Sequence, residues 1–290
     1  MNRVVKCSVK DVVSQSFRKI HIFLYIIAFY ALIIGRVSAQ NADTLIFQSY
    51  SVRTVGFGFP ALRYDLLSPL NHSGYSLAFT STRYREKPEK HLNQFKTHFE
   101  LGVLYNYAND SYITLLGFDV SWSRHWYIND KTHPLRLMAG FSTDIGANAF
   151  LKDENTNNPL AYFFNLSISP GIIAKYPFKI KGTNINFFQQ IDIPLVSLIS
   201  TSDYSSTIPP GFLENELHFF DAMRIASLGS LIKCMTITTL DVNTSWQRRK
   251  RLPDVRINYI FSGMTYKNSD FAIKSANHMV VFGAIFHLFR

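Results

Sequence analysis

FKTHFELGVLYNY (residues 95–107) and YITLLGFDVSWSRHW (residues 112–126) decide the fold. Along the first stretch Phe95, Thr97, Phe99, Leu101, Val103, Tyr105 and Tyr107 share one face of an extended chain, and Lys96, His98, Glu100, Gly102, Leu104 and Asn106 share the other. Along the second, Tyr112, Thr114, Leu116, Phe118, Val120 and Trp122 lie on one side, continued by Arg124 and Trp126. Gly117, Asp119, Ser121, Ser123 and His125 lie opposite. A period of two marks a β-strand, whose successive side chains point to opposite faces. Asn109-Asp110 between the stretches suits a tight hairpin, since both residue types tolerate positive φ. A two-residue turn there sets Phe99 opposite Val120, Leu101 opposite Phe118, Val103 opposite Leu116 and Tyr107 opposite Tyr112. Every pair is apolar or aromatic, and a slip by one residue would destroy the agreement.

The same period recurs outward from this hairpin. Leu135 to Ile145, Ala161 to Ile168, Asn184 to Ile193 and Val255 to Ser262 each alternate apolar with smaller or polar residues. Strands that cross a membrane need about 9–11 residues, and several of these segments reach that length. Residues 152–159 and 201–215 are long, polar and Pro-containing, whereas Asn109-Asp110 and residues 179–183 are short. Long loops at one end and tight turns at the other are expected of a membrane barrel. Tyr105, Tyr107, Tyr112, Trp122, Trp126 and Tyr127 fall near strand ends, where an interfacial girdle places them.

Composition agrees. Of 290 residues, 47 % are hydrophobic and only 17 % charged, against about 25 % charged in an average soluble domain. Aromatic residues make up 15 %, with 25 Phe and 15 Tyr. Such a chain covers a water-facing surface poorly and a lipid-facing one well. The formal charge of +10 falls to +5 over residues 40–290. The basic residues form no phosphate-tracking stripe, which argues against nucleic acid as a partner. Their one dense run, Arg248 to Arg251, reads as a solvated loop or a contact for anionic headgroups. Cys7 and Cys234 are the two cysteines.

Residues 1–39 read as a cleaved secretory signal peptide. Arg18 and Lys19 precede the apolar run Ile22 to Ile34, and Val37-Ser38-Ala39 supplies small residues for cleavage. No comparable apolar run follows, so residues 40–290 can enter a membrane only as a closed barrel, the remaining way to satisfy every backbone group in lipid. The expected fold is therefore all-β: one antiparallel transmembrane β-barrel domain of about 10–12 strands.

The last residues, Val280-Val281-Phe282-Gly283-Ala284-Ile285-Phe286-His287-Leu288-Phe289-Arg290, carry a resemblance. The chain resembles Gram-negative outer-membrane β-barrel proteins, which close on a C-terminal strand with a terminal or near-terminal aromatic. Phe289 holds that place, with Arg290 after it as a departure from the pattern. The resemblance covers roughly residues 40–290 and implies an outer-membrane location. It also implies contact with outer-membrane lipid and lipopolysaccharide, and recognition by the barrel-assembly machinery.

On the inner face the hairpin register sets Glu100 opposite Asp119. A six-residue turn centred between Lys131 and Thr132 would set Asp119 opposite Asp144 too, giving a row of carboxylates over three strands. Like charges so placed require a cation or counter-charges. The functional form is a cation site or an ion-selective constriction. The structural form is a salt network with Lys96, Arg136 and Arg256. Three functions follow: a barrel serving as a narrow channel, binding scaffold or envelope structural protein; a lipid-modifying hydrolase; or, from another class, a soluble periplasmic β-sandwich. For the hydrolase, His72-Ser73-Gly74 resembles the His-x-Ser-Asn-Gly pattern of phospholipase barrels, but His and Ser are adjacent and Asn71 precedes them. No residue is assigned a catalytic or metal-binding role and no cofactor is expected. His98, His125 and His218 receive no specific role.

Overall fold

The computed structural model describes residues 48–289, apart from 66, 109, 130–133, 153–159, 181–182, 203–222, 229, 244–253 and 268–270. The leader, His218, the basic run at 248–251 and most of the two long loops lie outside these residues. Twelve antiparallel strands make one sheet: β1 (Gln48–Tyr64), β2 (Ser68–Lys87), β3 (His91–Asn106), β4 (Ser111–Tyr127), β5 (Arg136–Leu151), β6 (Leu160–Ile180), β7 (Thr183–Asp192), β8 (Val196–Thr201), β9 (Arg224–Ser227), β10 (Leu231–Asn243), β11 (Asp254–Lys267) and β12 (Ala272–Phe289).

The sheet closes. Going round, β1 to β7 pair in chain order, β7 pairs with β10, β10 with β11, β11 with β12 and β12 with β1. These are ten staves, two of them broken. Along β6, β7 pairs with Gly171–Ile180 and β8 with Phe163–Ile168. Ile193 N–H donates to Pro170 O at 3.2 Å and Leu195 N–H to Ile168 O at 3.0 Å, carrying the ladder past Pro194. So β7 and β8 are one stave with a bulge. β9 lies beside β8 as β10 lies beside β7. A single sheet closed on itself has no second sheet to pack against, and the β-sandwich expectation does not hold.

One register line shows both the slant of the barrel and what its outside is made of. From Phe164 on β6 the cross-strand partners run Ala147, Phe118, Phe99, Phe79, Val55, Phe282, Ile257, Leu240 and Phe187, and return to β6 at Tyr176. The line comes back twelve residues from where it began. With ten staves at ordinary strand spacing, that stagger corresponds to a tilt of about 40°. Every residue on the line is apolar or aromatic, and Phe79, Phe118 and Phe282 are each about half exposed. In water this belt would be an aggregation surface; in a bilayer it is the lipid face. The chain is a membrane-spanning β-barrel.

The hairpin of residues 95–126 forms with a shifted register. Glu100 pairs with Gly117 and Asp119 with His98, so the connection has four residues, 107–110. The cause is local. Asn106 Oδ1 accepts the Ala108 N–H at 2.9 Å and its Nδ2 donates to Asn71 O at 2.7 Å, an Asx-type turn that takes Tyr107 out of the ladder. Asp110 then closes the turn at a φ of 53°. Each residue's partner moves by two, so every side chain keeps its face. The β4–β5 pairing also moves by two, in the opposite sense: Asp119 faces Gly146, and Asp144 faces Ser121. The chain alternates direction from stave to stave, so the turn at 107–110 sits at the same end as the long loops and not opposite them. That end is called distal here; the other, where β1 begins and β12 ends, is called the terminal end.

Candidate functional site

The inward-facing positions fill the lumen in three layers. At the distal end Tyr64, Leu104, Ile113, Phe150, Phe163, Tyr266, Phe271 and Ile273 form a buried cluster. Its rings cross the lumen. Phe163 on β6 meets Tyr266 on β11 at 6.2 Å between centroids, and Tyr64 on β1 meets Phe150 on β5 at 5.6 Å. The Tyr64 hydroxyl donates to Tyr162 O on β6 at 3.3 Å. β1 and β6 stand on opposite walls of the ring, so this layer is a plug.

At the terminal end the lumen is crossed by charges. Lys175 Nζ on β6 donates to both Glu86 oxygens on β2, at 3.2 and 3.0 Å, and the Tyr127 hydroxyl also donates to Glu86. Arg256 on β11 makes a two-pronged contact with Asp241 on β10, at 2.5 and 2.6 Å. The Arg256 guanidinium also lies 4.8 Å from the Tyr84 ring centroid and 5.9 Å from that of Tyr50, and those two rings stack at 4.7 Å. Two bonds in a fixed fork and a cation over aromatic faces are arrangements that arginine makes and lysine does not.

Between the two layers lies a cavity of about 180 Å³. Glu100, Asp119 and Asp144 all line it, and so does Lys96. The three carboxylates are not in a row: the register places Asp119 one step along from both Glu100 and Asp144. Glu100 accepts from Asn277 Nδ2 at 2.8 Å and stands 3.7 Å from His98 Nε2, and His98 Nδ1 is 2.9 Å from Thr80 Oγ1. Asp144 accepts from Ser142 at 3.4 Å. Lys96 reaches from β3 to the opposite wall, where its Nζ lies 3.7 Å from Met235 Sδ on β10. Arg136 and Arg256 do not line the cavity. Arg136 begins β5 beside Lys175, and Arg256 is committed to Asp241. The expected counter-charges are thus split between two layers.

The cavity also holds Asp192 and Lys233, which the carboxylate row omits. Asp192 was open to sequence reasoning, because it ends the polar face Asn184, Asn186, Phe188, Gln190 of its own strand. It is 2 % exposed. Gln190 Nε2 donates to its Oδ2 at 2.6 Å, while Oδ1 has no hydrogen-bond donor and stands 4.0 Å from His125 Nε2. Glycine at 171 makes this approach possible: a Cβ there would come within 2.1 Å of Asp192 Oδ1 and 2.9 Å of His125 Nε2. Among the described residues no three His, Cys, Asp or Glu side chains gather closely enough to chelate a metal ion directly.

The structure separates His72 from Ser73. Neighbours on a strand face opposite ways, so Ser73 is exposed and His72 is buried in the lumen. His72 instead meets Ser111 of β4, with Nε2 to Oγ at 3.0 Å, and its Nδ1 lies 3.1 Å from Leu70 O. The carbonyl fixes the proton on Nδ1, so the serine hydroxyl donates to Nε2. Both residues are 0 % exposed, and the pair ties β2 to β4 beneath the distal turn.

The closed ring and its apolar belt make the chain a membrane-spanning β-barrel, with lipid against the belt. Solved structures of similar fold include the outer membrane protease OmpT from Escherichia coli, at 7 % identity and a TM-score of 0.48, with 86 % of this chain and 99 % of that one covered. The translocator domain of the autotransporter NalP from Neisseria meningitidis is similar at 6 % identity and a TM-score of 0.43, covering 92 % and 96 %. An outer membrane channel from Pseudomonas putida F1 is similar at 6 % identity and a TM-score of 0.33, covering 86 % and 100 %. No curated protein matches the sequence. The model of one family matches residues 22–290, and the chain belongs to that family, DUF3316, described as a protein of unknown function.

Proposed function

We propose that this protein is a non-conducting outer-membrane barrel, a binding or structural scaffold of the envelope whose lumen is closed by its own side chains. The observation that carries the reading is the pair of closures. Tyr64 bonds across to the β6 wall at the distal end, and Lys175 bonds across to Glu86 at the terminal end. A narrow barrel filled this way has no continuous aqueous path.

Planar-bilayer recording on the purified, folded barrel tests it. The expected result is a membrane current indistinguishable from that of protein-free lipid. A steady current proportional to voltage in each insertion event would overturn the closed-lumen reading and restore the narrow channel.

A further inference from the structure

The central cavity is built like a ligand site and not like filler. Four carboxylates line it, Glu100, Asp119, Asp144 and Asp192, against two ammonium groups, Lys96 and Lys233. Among the described residues no ion pair joins either lysine to a carboxylate. The lysines therefore make no direct contact with the carboxylates, although both lie close enough to act on Asp192, and the carboxylates outnumber them by two. A second observation is independent of the charges. The Ser169 hydroxyl, in a residue 1 % exposed, lines the same cavity with no hydrogen-bond partner, as does Asp192 Oδ1. Buried polar atoms are seldom left unpaired, and an orphaned one calls for a missing partner.

The walls narrow the chemistry. The carboxylates are too dispersed to chelate a bare metal ion, and the cavity is also lined by Leu104, Leu115, Phe150 and Met279. A hydrated divalent cation would press its water shell against these apolar groups. An aliphatic chain would pack on them while its charged ends reached the carboxylates. The volume, about 180 Å³, is room for a small organic molecule and not for a large one.

We propose that the lumen binds a small organic dication, a short alkyl diamine. Its ammonium groups sit among Asp119, Asp144 and Asp192, donating to Asp192 Oδ1, and its methylenes lie against the apolar wall. Lys96 and Lys233 limit the site to the carboxylate side.

The test uses the full chain refolded into detergent micelles with the probe present, so that the cavity fills as the barrel closes. The probe is 1,4-diaminobutane, with 1,4-butanediol, 1-aminobutane and Mg²⁺ as comparisons. Binding is read by the amount of probe retained after gel filtration of the refolded barrel and by the temperature at which the fast-running folded band converts to the slow one on a gel. The diamine is expected to bind and raise that temperature, and the diol and Mg²⁺ to do neither at the same concentration. Asp192→Asn and Asp144→Asn should each weaken diamine binding at least tenfold, equivalent to about 1.4 kcal/mol. Equal binding of the diol, displacement of the diamine by equimolar Mg²⁺, or unchanged affinity in the folded variants would overturn the proposal. Should a variant not fold, the probe series on the unaltered chain decides alone, and absence of diamine binding there refutes the site. The bilayer current is a separate measurement, so failure of this site and failure of the closed-lumen reading are told apart.

Discussion

The two ends of the lumen are crossed by different physics. The distal plug is hydrocarbon: Tyr64, Phe150, Phe163, Tyr266 and Phe271 touch ring to ring across the barrel. The terminal lock is charge: Lys175 on Glu86, and Arg256 on Asp241 under a tyrosine stack. A plug of the first kind excludes water by volume, tolerates exchange of one apolar residue for another, and fails gradually as cavities open. A lock of the second kind depends on pairing. Glu86, Asp241 and Arg256 have already lost most of their water, so removing the partner of any of them leaves it stranded. The difference teaches that closure at the terminal end is the more specific and the more easily broken by a single change.

The largest expected effect follows from that asymmetry. Arg256→Ala strands Asp241 and removes the cation from beneath Tyr50 and Tyr84, in a site where Arg256 is 3 % exposed. The expected loss is about 4 kcal/mol of barrel stability, read by denaturant unfolding in lipid vesicles. A loss under about 1 kcal/mol would mean that packing alone holds the terminal end. Phe163→Ala in the distal plug comes next, at about 3 kcal/mol, because the neighbouring rings can relax partly into the space. Phe163→Leu should recover most of that loss, whereas Arg256→Lys, which cannot span both Asp241 oxygens, should recover little of its own. Equal recovery at the two ends would erase the distinction.

Much of this architecture is legible in the sequence, for reasons that also explain what is not. Face assignment needs only the period of two, so the lumen placement of Lys96, Glu100, Asp119 and Asp144 could be read from residues 95–145 alone. Cross-strand partners need the turn geometry as well. There the period of two misleads, because it runs on to Tyr107 and pairs it with Tyr112, whereas the Asn106 side chain starts the turn before Tyr107. The shear of the barrel, which sets Lys175 across from Glu86, is a property of the closed ring and of no segment within it. Arg256 faces Asp241 directly across β10 and β11, a match that needs only the register of that hairpin, and Asp192 lies on the polar face of its own strand, so neither depends on the shear. His72 illustrates the converse: adjacency suggested Ser73, but pleating turned Ser73 outward and brought Ser111 in from two strands away.

The smallest effect sharpens the comparison within the terminal lock itself. Glu86 accepts from Lys175 and from the Tyr127 hydroxyl, and its side chain is 9 % exposed against 27 % for Lys175. Glu86→Gln keeps an acceptor for both donors while removing the charge. The lysine can turn part of its ammonium back toward solvent, so its stranding costs less than that of Asp241 beside a missing Arg256. The expected loss is about 1–2 kcal/mol, and Lys175→Met in the same background should cost only the one hydrogen bond left to Gln, less than about 1 kcal/mol. If the double variant were instead less stable than Glu86→Gln alone by a similar amount, Lys175 would be holding the terminal end through a partner other than Glu86. The lock would then be a network around Arg136 and Tyr127 and not a pair.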